Sequence, residues 1–219
     1  MTIDSRPGPH QGQPISMAGQ SLERAAAVMI LVHGRGASAK DILTLVPDLA
    51  QPDFAYLAPQ AADNSWYPNR FLEPIESNEP WLSSALTALA DVLNRVQEAG
   101  HPMERTLLLG FSQGACLTLE FVARHAQRYG GVIGLSGGLI GPDGTPREYA
   151  GSLDGTPVFL GCSDVDPHIP QARVQQTAEV LRQLGGNVTV QLYPNMAHTI
   201  SPAEVDVTRA MMNGFLHRT

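Results

Sequence analysis

Hydrophobic positions along this chain fall into short continuous runs, separated by longer stretches in which apolar residues recur at helical spacing. The first run, residues 25–32, is apolar throughout, which is typical of a strand buried on both faces. The other predicted strands span residues 54–58, 105–110, 131–136, 157–161 and 187–193. The predicted helices span residues 42–49, 79–99, 113–128, 169–184 and 202–217. This alternation predicts an α/β fold with a mostly parallel sheet and helices on both faces.

Residues 60–80 interrupt the alternation, because their aromatic and proline residues follow no regular period. We predict a long ordered loop here, and such loops in compact domains often carry function. The first 20 residues are polar and broken by three prolines. We therefore interpret residues 1–20 as an N-terminal extension that can be partly ordered, and residues 21–219 as one domain without a separate lid domain.

Composition narrows the class of protein. A chain of 219 residues with 43% hydrophobic content suits a single core. The formal net charge of -7 and the lack of a basic face argue against nucleic-acid binding. No apolar run approaches the roughly 20 residues of a membrane span. Two cysteines and no secretion signal predict a cytoplasmic protein with reduced thiols.

A Gly-x-Ser-x-Gly pattern, which can expose a nucleophilic serine on a sharp turn, occurs twice, at Ser112 and at Ser136. Ser112 follows the predicted strand 105–110 and precedes a predicted helix, as this turn requires. Ser136 also ends a strand, but glycines and a proline follow it, and these disfavour a helix. The context therefore predicts Ser112 as the nucleophile.

A serine hydroxyl needs a base and an oriented acid to become a good nucleophile. His198 follows the last predicted strand, at the sheet edge where Ser112 is expected, and is the candidate base. The loop after strand 157–161 offers Asp164 and Asp166 as the acid, and the pattern of residues leaves both open. His10 lies in the N-terminal extension, and His168 is interpreted as a surface residue.

Backbone N–H groups are the usual donors to the oxyanion of an acyl-transfer intermediate. One candidate is the amide of Gln113, which directly follows Ser112 at the start of a predicted helix. The other is the amide of Arg35, in the glycine-rich loop after the first predicted strand. The Arg35 side chain either points to solvent or attracts an anionic group of the substrate.

Taken together, these segments resemble the phospholipase/carboxylesterase family of small α/β-hydrolases, which includes the acyl-protein thioesterases. The matching segments are His33-Gly34-x-Gly36, Ser65-Trp66-Tyr67, Gly110-Phe111-Ser112-Gln113-Gly114, Asp166-Pro167-His168-Ile169-Pro170 and His198-Thr199. They cover nearly the whole chain, from about residue 25 to residue 215. The resemblance implies a single-domain α/β-hydrolase fold.

The resemblance also implies a set of site residues. The acid of the family stands before a Pro-x-[Ile/Val]-Pro stretch, which favours Asp166 over Asp164. The implied triad is then Ser112, Asp166 and His198, and the implied oxyanion donors are Arg35 and Gln113. The aromatic loop is expected to shape the substrate pocket, with four candidate residues: Trp66, Tyr67, Phe71 and Leu72.

Members of the family hydrolyse carboxylic esters, thioesters or lysophospholipids without a metal or cofactor. We therefore expect a serine carboxylesterase that acts on a small-molecule ester or thioester through an acyl-enzyme. An acyl-thioesterase or a lysophospholipase is the alternative within the family. A catalytically inactive binding protein on the same fold is the alternative of another class. The oligomeric state stays open, with a homodimer as one option.

Overall fold

The structure, a computed structural model, describes residues 8–216, with side chains as far as residue 214. Its strands are β1 (Ile15–Gly19), β2 (Ala27–Val32), β3 (Phe54–Pro59), β4 (Thr106–Phe111), β5 (Gly131–Leu135), β6 (Pro157–Ser163) and β7 (Asn187–Tyr193). Its helices are α1 (Ala39–Ile42), α2 (Val46–Leu49), α3 (Trp81–Glu98), α4 (Gln113–Arg124), α5 (Gln171–Gln183) and α6 (Pro202–Leu216).

Across residues 8–216 the strands form one sheet in the order β1-β3-β2-β4-β5-β6-β7. All neighbouring strands are parallel except β1 and β3, which are antiparallel. The predicted single-domain α/β architecture, with a mostly parallel sheet, is confirmed. Within the same residues, no helix combines the length and apolar character needed to cross a bilayer.

Each face of the sheet packs against its own layer of helices. Alternate residues of β2 point to opposite sides, so that Ile30 joins one hydrophobic core and Met29 the other. The first core contains side chains of α3, α4 and α5, and the second contains side chains of α1, α2 and α6. Burial on both faces explains why β2 is an unbroken apolar run in the sequence.

The sequence pattern did not predict β1. This strand lies at the edge of the sheet with partly exposed side chains, so its sequence lacks the apolar run of a central strand. Backbone pairing with β3, in the register Met17 opposite Leu57, holds it in place. The predicted helix at 42–49 is instead two single turns, α1 and α2, joined by a 3-10 turn.

The topology brings four loops to one edge of the sheet. β2, β4, β6 and β7 are parallel, so the segments that follow them all start at the carboxyl edge. These segments carry Arg35, Ser112, Asp166 and His198. In open α/β sheets this edge is where ligands bind.

Candidate active site

Ser112 occupies a strained turn between β4 and α4. Its φ of 54° and ψ of −120° lie outside the regions that residues with a side chain usually adopt. A Cβ on Gly110 would come within 2.4 Å of the Gly114 carbonyl oxygen, and one on Gly114 within 2.2 Å of the Val32 carbonyl oxygen. Both glycines are therefore required by close backbone approach rather than by chain flexibility.

Ser136, in the second copy of the pattern, is fully buried. Its amide donates to the Gly161 carbonyl at 2.7 Å, and no helix follows it. A Cβ on the adjacent Gly137 would lie 2.4 Å from Cβ of Ala115, so this strand end packs directly beneath α4. Ser136 therefore has no access to solvent, in contrast to Ser112.

Three side chains form a continuous hydrogen-bonded chain across the loops. Nε2 of His198 lies 2.9 Å from Oγ of Ser112, and Nδ1 of His198 lies 2.7 Å from Oδ2 of Asp166. Because a carboxylate can only accept, Nδ1–H donates to Asp166 and Nε2 is left to accept from the serine hydroxyl. This is the arrangement that allows a histidine to take a serine proton.

The Asp166 carboxylate is buried and fully hydrogen bonded. Besides the bond from His198, its Oδ1 accepts from the amides of His168 at 2.8 Å and Ile169 at 3.0 Å. Burial disfavours the charged form, but the hydrogen bonds from His198 and the two amides outweigh it, and the pKa of Asp166 is lowered. The carboxylate therefore stays ionised at neutral pH.

Asp164 has a different position from Asp166. It is exposed, and its Oδ1 accepts from the amide of Asn195 at 2.8 Å. Asn195 has a φ of 53° in the turn that leads to His198. Asp164 therefore braces the loop that carries the histidine, without contacting the histidine itself.

The ring of His198 is held from two sides. The Phe111 ring lies 5.2 Å from it, and the His168 ring meets it edge-on with centroids 4.8 Å apart. The sequence analysis treated His168 as a surface residue only. His168 is exposed, but its ring also packs against His198, the candidate base. Its position next to the candidate acid, in the Asp-Pro-His-Ile-Pro segment, was the feature of the sequence that could have indicated this contact.

The amides of Arg35 and Gln113 belong to two segments that meet at the turn at Ser112, the loop after β2 and the start of α4. Neither amide donates to another group within residues 8–216. Gln113 is the first residue of α4, where the helix dipole favours negative charge. A Cβ on Gly34 would be 3.4 Å from Cβ of Ser112, so the Arg35 loop approaches the turn closely. Two unpaired N–H groups therefore lie beside the serine.

The side chains of the same two residues hold the aromatic loop, which the sequence analysis did not foresee. The Gln113 amide group accepts from the amide of Trp66 at 2.9 Å and donates to the Tyr67 carbonyl at 2.7 Å. The Arg35 guanidinium donates to the carbonyls of Pro68 at 2.8 Å and Asn69 at 2.5 Å. Hydrogen bonds therefore link the residues beside Ser112 to the aromatic loop.

Trp66, predicted to line the pocket, is instead a fully buried support beneath it. Its ring lies between His33 and His10, with centroids 5.0 and 5.4 Å away, and its Nε1 donates to the His33 carbonyl at 2.8 Å. His10, assigned to the N-terminal extension, is thus 2% exposed and part of this support.

Hydrogen bonds require His33 to be neutral. Its Nδ1–H donates to the Gly34 carbonyl at 2.8 Å, so Nε2 is the atom that accepts from the Ala61 amide at 3.1 Å. Burial lowers the pKa of His33. A protonated ring would turn the acceptor into a second donor aimed at an N–H group.

His10 is bound in the same manner, with the two nitrogens exchanged. Nε2–H donates to the Trp66 carbonyl at 2.9 Å, and Nδ1 accepts from the Ala62 amide at 3.1 Å. Burial also lowers the pKa of His10. Two neutral histidines therefore hold the start of the aromatic loop against the end of β2.

A cavity of about 280 Å³ opens beside Ser112. Its lining consists of Arg35, Tyr67, Arg70, Phe71, Ser112, Gln113, Cys116, His168, Ile169 and His198. Of the four predicted pocket residues, Tyr67 and Phe71 are included. Trp66 and Leu72 are not part of this lining. Burial raises the pKa of Cys116 to about 12, so this thiol remains protonated.

The sequence matches the family model described as Phospholipase/Carboxylesterase over residues 19–213. The chain belongs to this family. Within residues 8–216, no group of three His, Cys, Asp or Glu side chains is arranged to hold a metal ion.

Solved structures resemble this chain over nearly its whole length. A phospholipase/carboxylesterase from Dyadobacter fermentans is 38% identical, with a TM-score of 0.90 over 94% of this chain and 100% of that one. SOBER1 from Arabidopsis thaliana, 20% identical with a TM-score of 0.74 over 87% and 99% of the two chains, shares the fold.

Acyl-protein thioesterase 1 from Gibberella zeae is 33% identical over 52% of this chain and 50% of its own length. The protein of the same name from Candida albicans is 32% identical over 56% and 55%. The matched part of the chain thus spans about half the length of these curated relatives.

The two neutral histidines predict an acid-sensitive fold. Because their pKa values are lowered in the folded state, the unfolded chain binds their protons more readily, and stability present above about pH 6.5 is lost as the pH falls. Each group contributes a slope of at most about 1.4 kcal/mol per pH unit. Urea unfolding between pH 7.5 and 5 measures this slope.

His10→Gln is the matched variant, since a neutral amide can donate and accept but does not titrate. We expect a weaker dependence of the unfolding free energy on pH in this variant than in the wild type. An equal dependence in both proteins would contradict the role of His10.

Proposed function

We propose that this protein is a serine carboxylic-ester hydrolase, with Ser112 as nucleophile, His198 as general base and Asp166 as the acid that orients it. The observation that carries the proposal is the hydrogen-bonded chain from Ser112 Oγ through His198 to Asp166. Membership of the phospholipase/carboxylesterase family supports the same class of reaction.

In the proposed first step, His198 Nε2 takes the hydroxyl proton while Ser112 Oγ attacks the ester carbonyl. The carbonyl oxygen becomes an oxyanion, and the amides of Arg35 and Gln113 donate to it. Such donors are already in position when the negative charge forms, and losing one of them typically lowers kcat by about 10² to 10³-fold. Asp166, ionised because of its hydrogen bonds, stabilises the imidazolium.

When the intermediate collapses, the bond to the leaving oxygen breaks and His198 gives its proton to that oxygen. The acyl group stays on Ser112. Water then loses a proton to His198 and attacks the acyl carbon. The bond from this carbon to Ser112 Oγ breaks, His198 returns the proton to Oγ, and the carboxylic acid leaves. The cavity of about 280 Å³ lies just below the usual range for drug-sized ligands and suits a small acyl or alcohol group.

An acyl-thioesterase is the second candidate, because the curated relatives, each matched along about half of its length, are named acyl-protein thioesterase 1. The proposed acylation and deacylation steps serve a thioester equally well. Comparing kcat/KM for 4-nitrophenyl esters, acyl-CoA thioesters and lysophospholipids would rank these substrates. An inactive binding protein would hydrolyse none of them.

The nucleophile can be tested with a fluorophosphonate probe, which labels an activated serine. We expect the wild type to be labelled, and Ser112→Ala to lose both labelling and about 10⁴-fold or more in kcat, since among the described residues Ser112 provides the hydroxyl that is hydrogen bonded to His198. Ser136→Ala, in the buried second copy of the pattern, is the matched control and should be labelled. Labelling of folded Ser112→Ala protein would refute the assignment.

The two aspartates give a second test. Asp166→Asn should reduce kcat by about 10⁴-fold, because an amide no longer fixes the correct tautomer of His198. Asp164→Asn should cost less than about tenfold, since its amide oxygen can still accept from the Asn195 amide. Each variant removes one negative charge, so a difference in kcat between the two variants reflects the position of the aspartate and not the change in net charge. A larger loss in Asp164→Asn would transfer the role of acid to Asp164.

A further inference from the structure

The lining of the cavity beside Ser112 carries two arginines in a chain whose formal net charge is -7. Arg35 and Arg70 line both this cavity and an adjoining hollow of about 480 Å³. Among the described residues, no aspartate or glutamate lines the cavity itself. The lining of the cavity therefore carries positive charge next to Ser112.

The charge of Arg35 is fixed in place and not neutralised. Its guanidinium donates to Ser65 Oγ at 3.2 Å and to the carbonyls of Pro68 and Asn69, all of which are uncharged acceptors. The ring of Tyr67 lies 5.8 Å from the guanidinium carbon. These contacts orient the side chain but leave its full positive charge at the cavity wall.

Arg70 has a fixed backbone and an unpaired side chain. Its carbonyl accepts from Nδ2 of Asn78 at 3.3 Å and from the amide of Glu73 at 3.1 Å. Its guanidinium forms no hydrogen bond or ion pair with any of residues 8–216, not even with Glu73 in the adjoining hollow. The donors of Arg70 are therefore available to a ligand.

We propose that Arg70, supported by the fixed charge of Arg35, selects esters that carry a carboxylate or phosphate group near the scissile carbonyl. A guanidinium matches the planar fork of these anions and binds them with two parallel hydrogen bonds. The proposal rests on the proposed esterase function, because it names the substrate class of the same site.

Size and shape limit where the anion lies. The nucleophile and both arginines line one cavity of about 280 Å³, so a carbonyl at Ser112 and an anion at Arg70 belong to one small molecule. Tyr67, Phe71 and Ile169 supply apolar walls between them. A short hydrocarbon or aromatic spacer between ester and anion fits this lining.

Matched substrate pairs test the proposal. On the acyl side, mono-4-nitrophenyl adipate is compared with 4-nitrophenyl hexanoate. On the alcohol side, 4-acetoxybenzoate and 4-acetoxyphenyl phosphate are each compared with neutral 4-acetoxybenzamide. The readout is the ratio of kcat/KM for the anionic substrate to that for its neutral partner. The three pairs show whether the site prefers the anion on the acyl part or on the alcohol part of the ester. They also show whether it prefers a carboxylate or a phosphate.

We expect the wild type to favour the anionic member of at least one pair by about tenfold, the usual worth of a charge-assisted hydrogen bond. Arg70→Gln should lower this preference to the smaller part that the charge of Arg35 supplies, and Arg70→Glu should lower it further. The preference should shrink as NaCl is raised, because salt screens an open site. Arg95→Gln removes the same charge from the exposed last turn of α3 and should keep the wild-type ratio.

Two results would overturn the proposal: a wild-type ratio near one in all pairs, or a preference that is as large in folded Arg70→Gln protein as in the wild type. Either would leave the esterase function intact, provided that the neutral esters are hydrolysed and that Ser112→Ala abolishes this. If neither kind of ester is hydrolysed and the fluorophosphonate probe does not label Ser112, the proposed function fails first.

Discussion

The close approach of α4 to the end of β2 is the constraint on which the candidate site depends. Gly114 lies so near the Val32 carbonyl that a Cβ would come within 2.2 Å of it. This contact brings the first amide of α4 and the Arg35 loop to the same point beside Ser112. The strained backbone of Ser112 follows from it, since the chain must turn sharply to leave β4 and enter a helix packed this tightly.

The second feature is the shared support of the two loops that flank the serine. Gln113 and Arg35 use side chains to bind the loop around Trp66, while their amides stay unpaired. His10 and His33 hold the same loop from below through bonds that need neutral rings. A change in this loop is thus expected to reach the amides beside Ser112, although the hydrogen-bond partner of the serine hydroxyl within the described residues is His198 and not a residue of the loop.

Repeating patterns made most of the fold predictable. Central strands are apolar throughout because both faces are buried, and helices have apolar residues at helical spacing. The order of β2 to β7 and α3 to α6 could therefore be predicted. β1 could not, because an edge strand is held by backbone pairing that leaves little trace in side-chain type. His10 was missed for a related reason: its partners are the Trp66 carbonyl and the Ala62 amide, distant in sequence and of no particular residue type.

The sequence by itself determined the class of fold and the chemical types at the site: a serine between strand and helix, then an acidic loop, then a histidine after the last strand. It left Asp164 and Asp166 equivalent, because both lie in one loop after one strand, and only the resemblance separated them. The tertiary structure decided their contacts, placing Asp166 against His198 and Asp164 against the Asn195 amide. It also decided that Trp66 is a support and that Arg70 faces the cavity, since the direction of a side chain in an irregular loop depends on contacts with distant segments that no local pattern encodes.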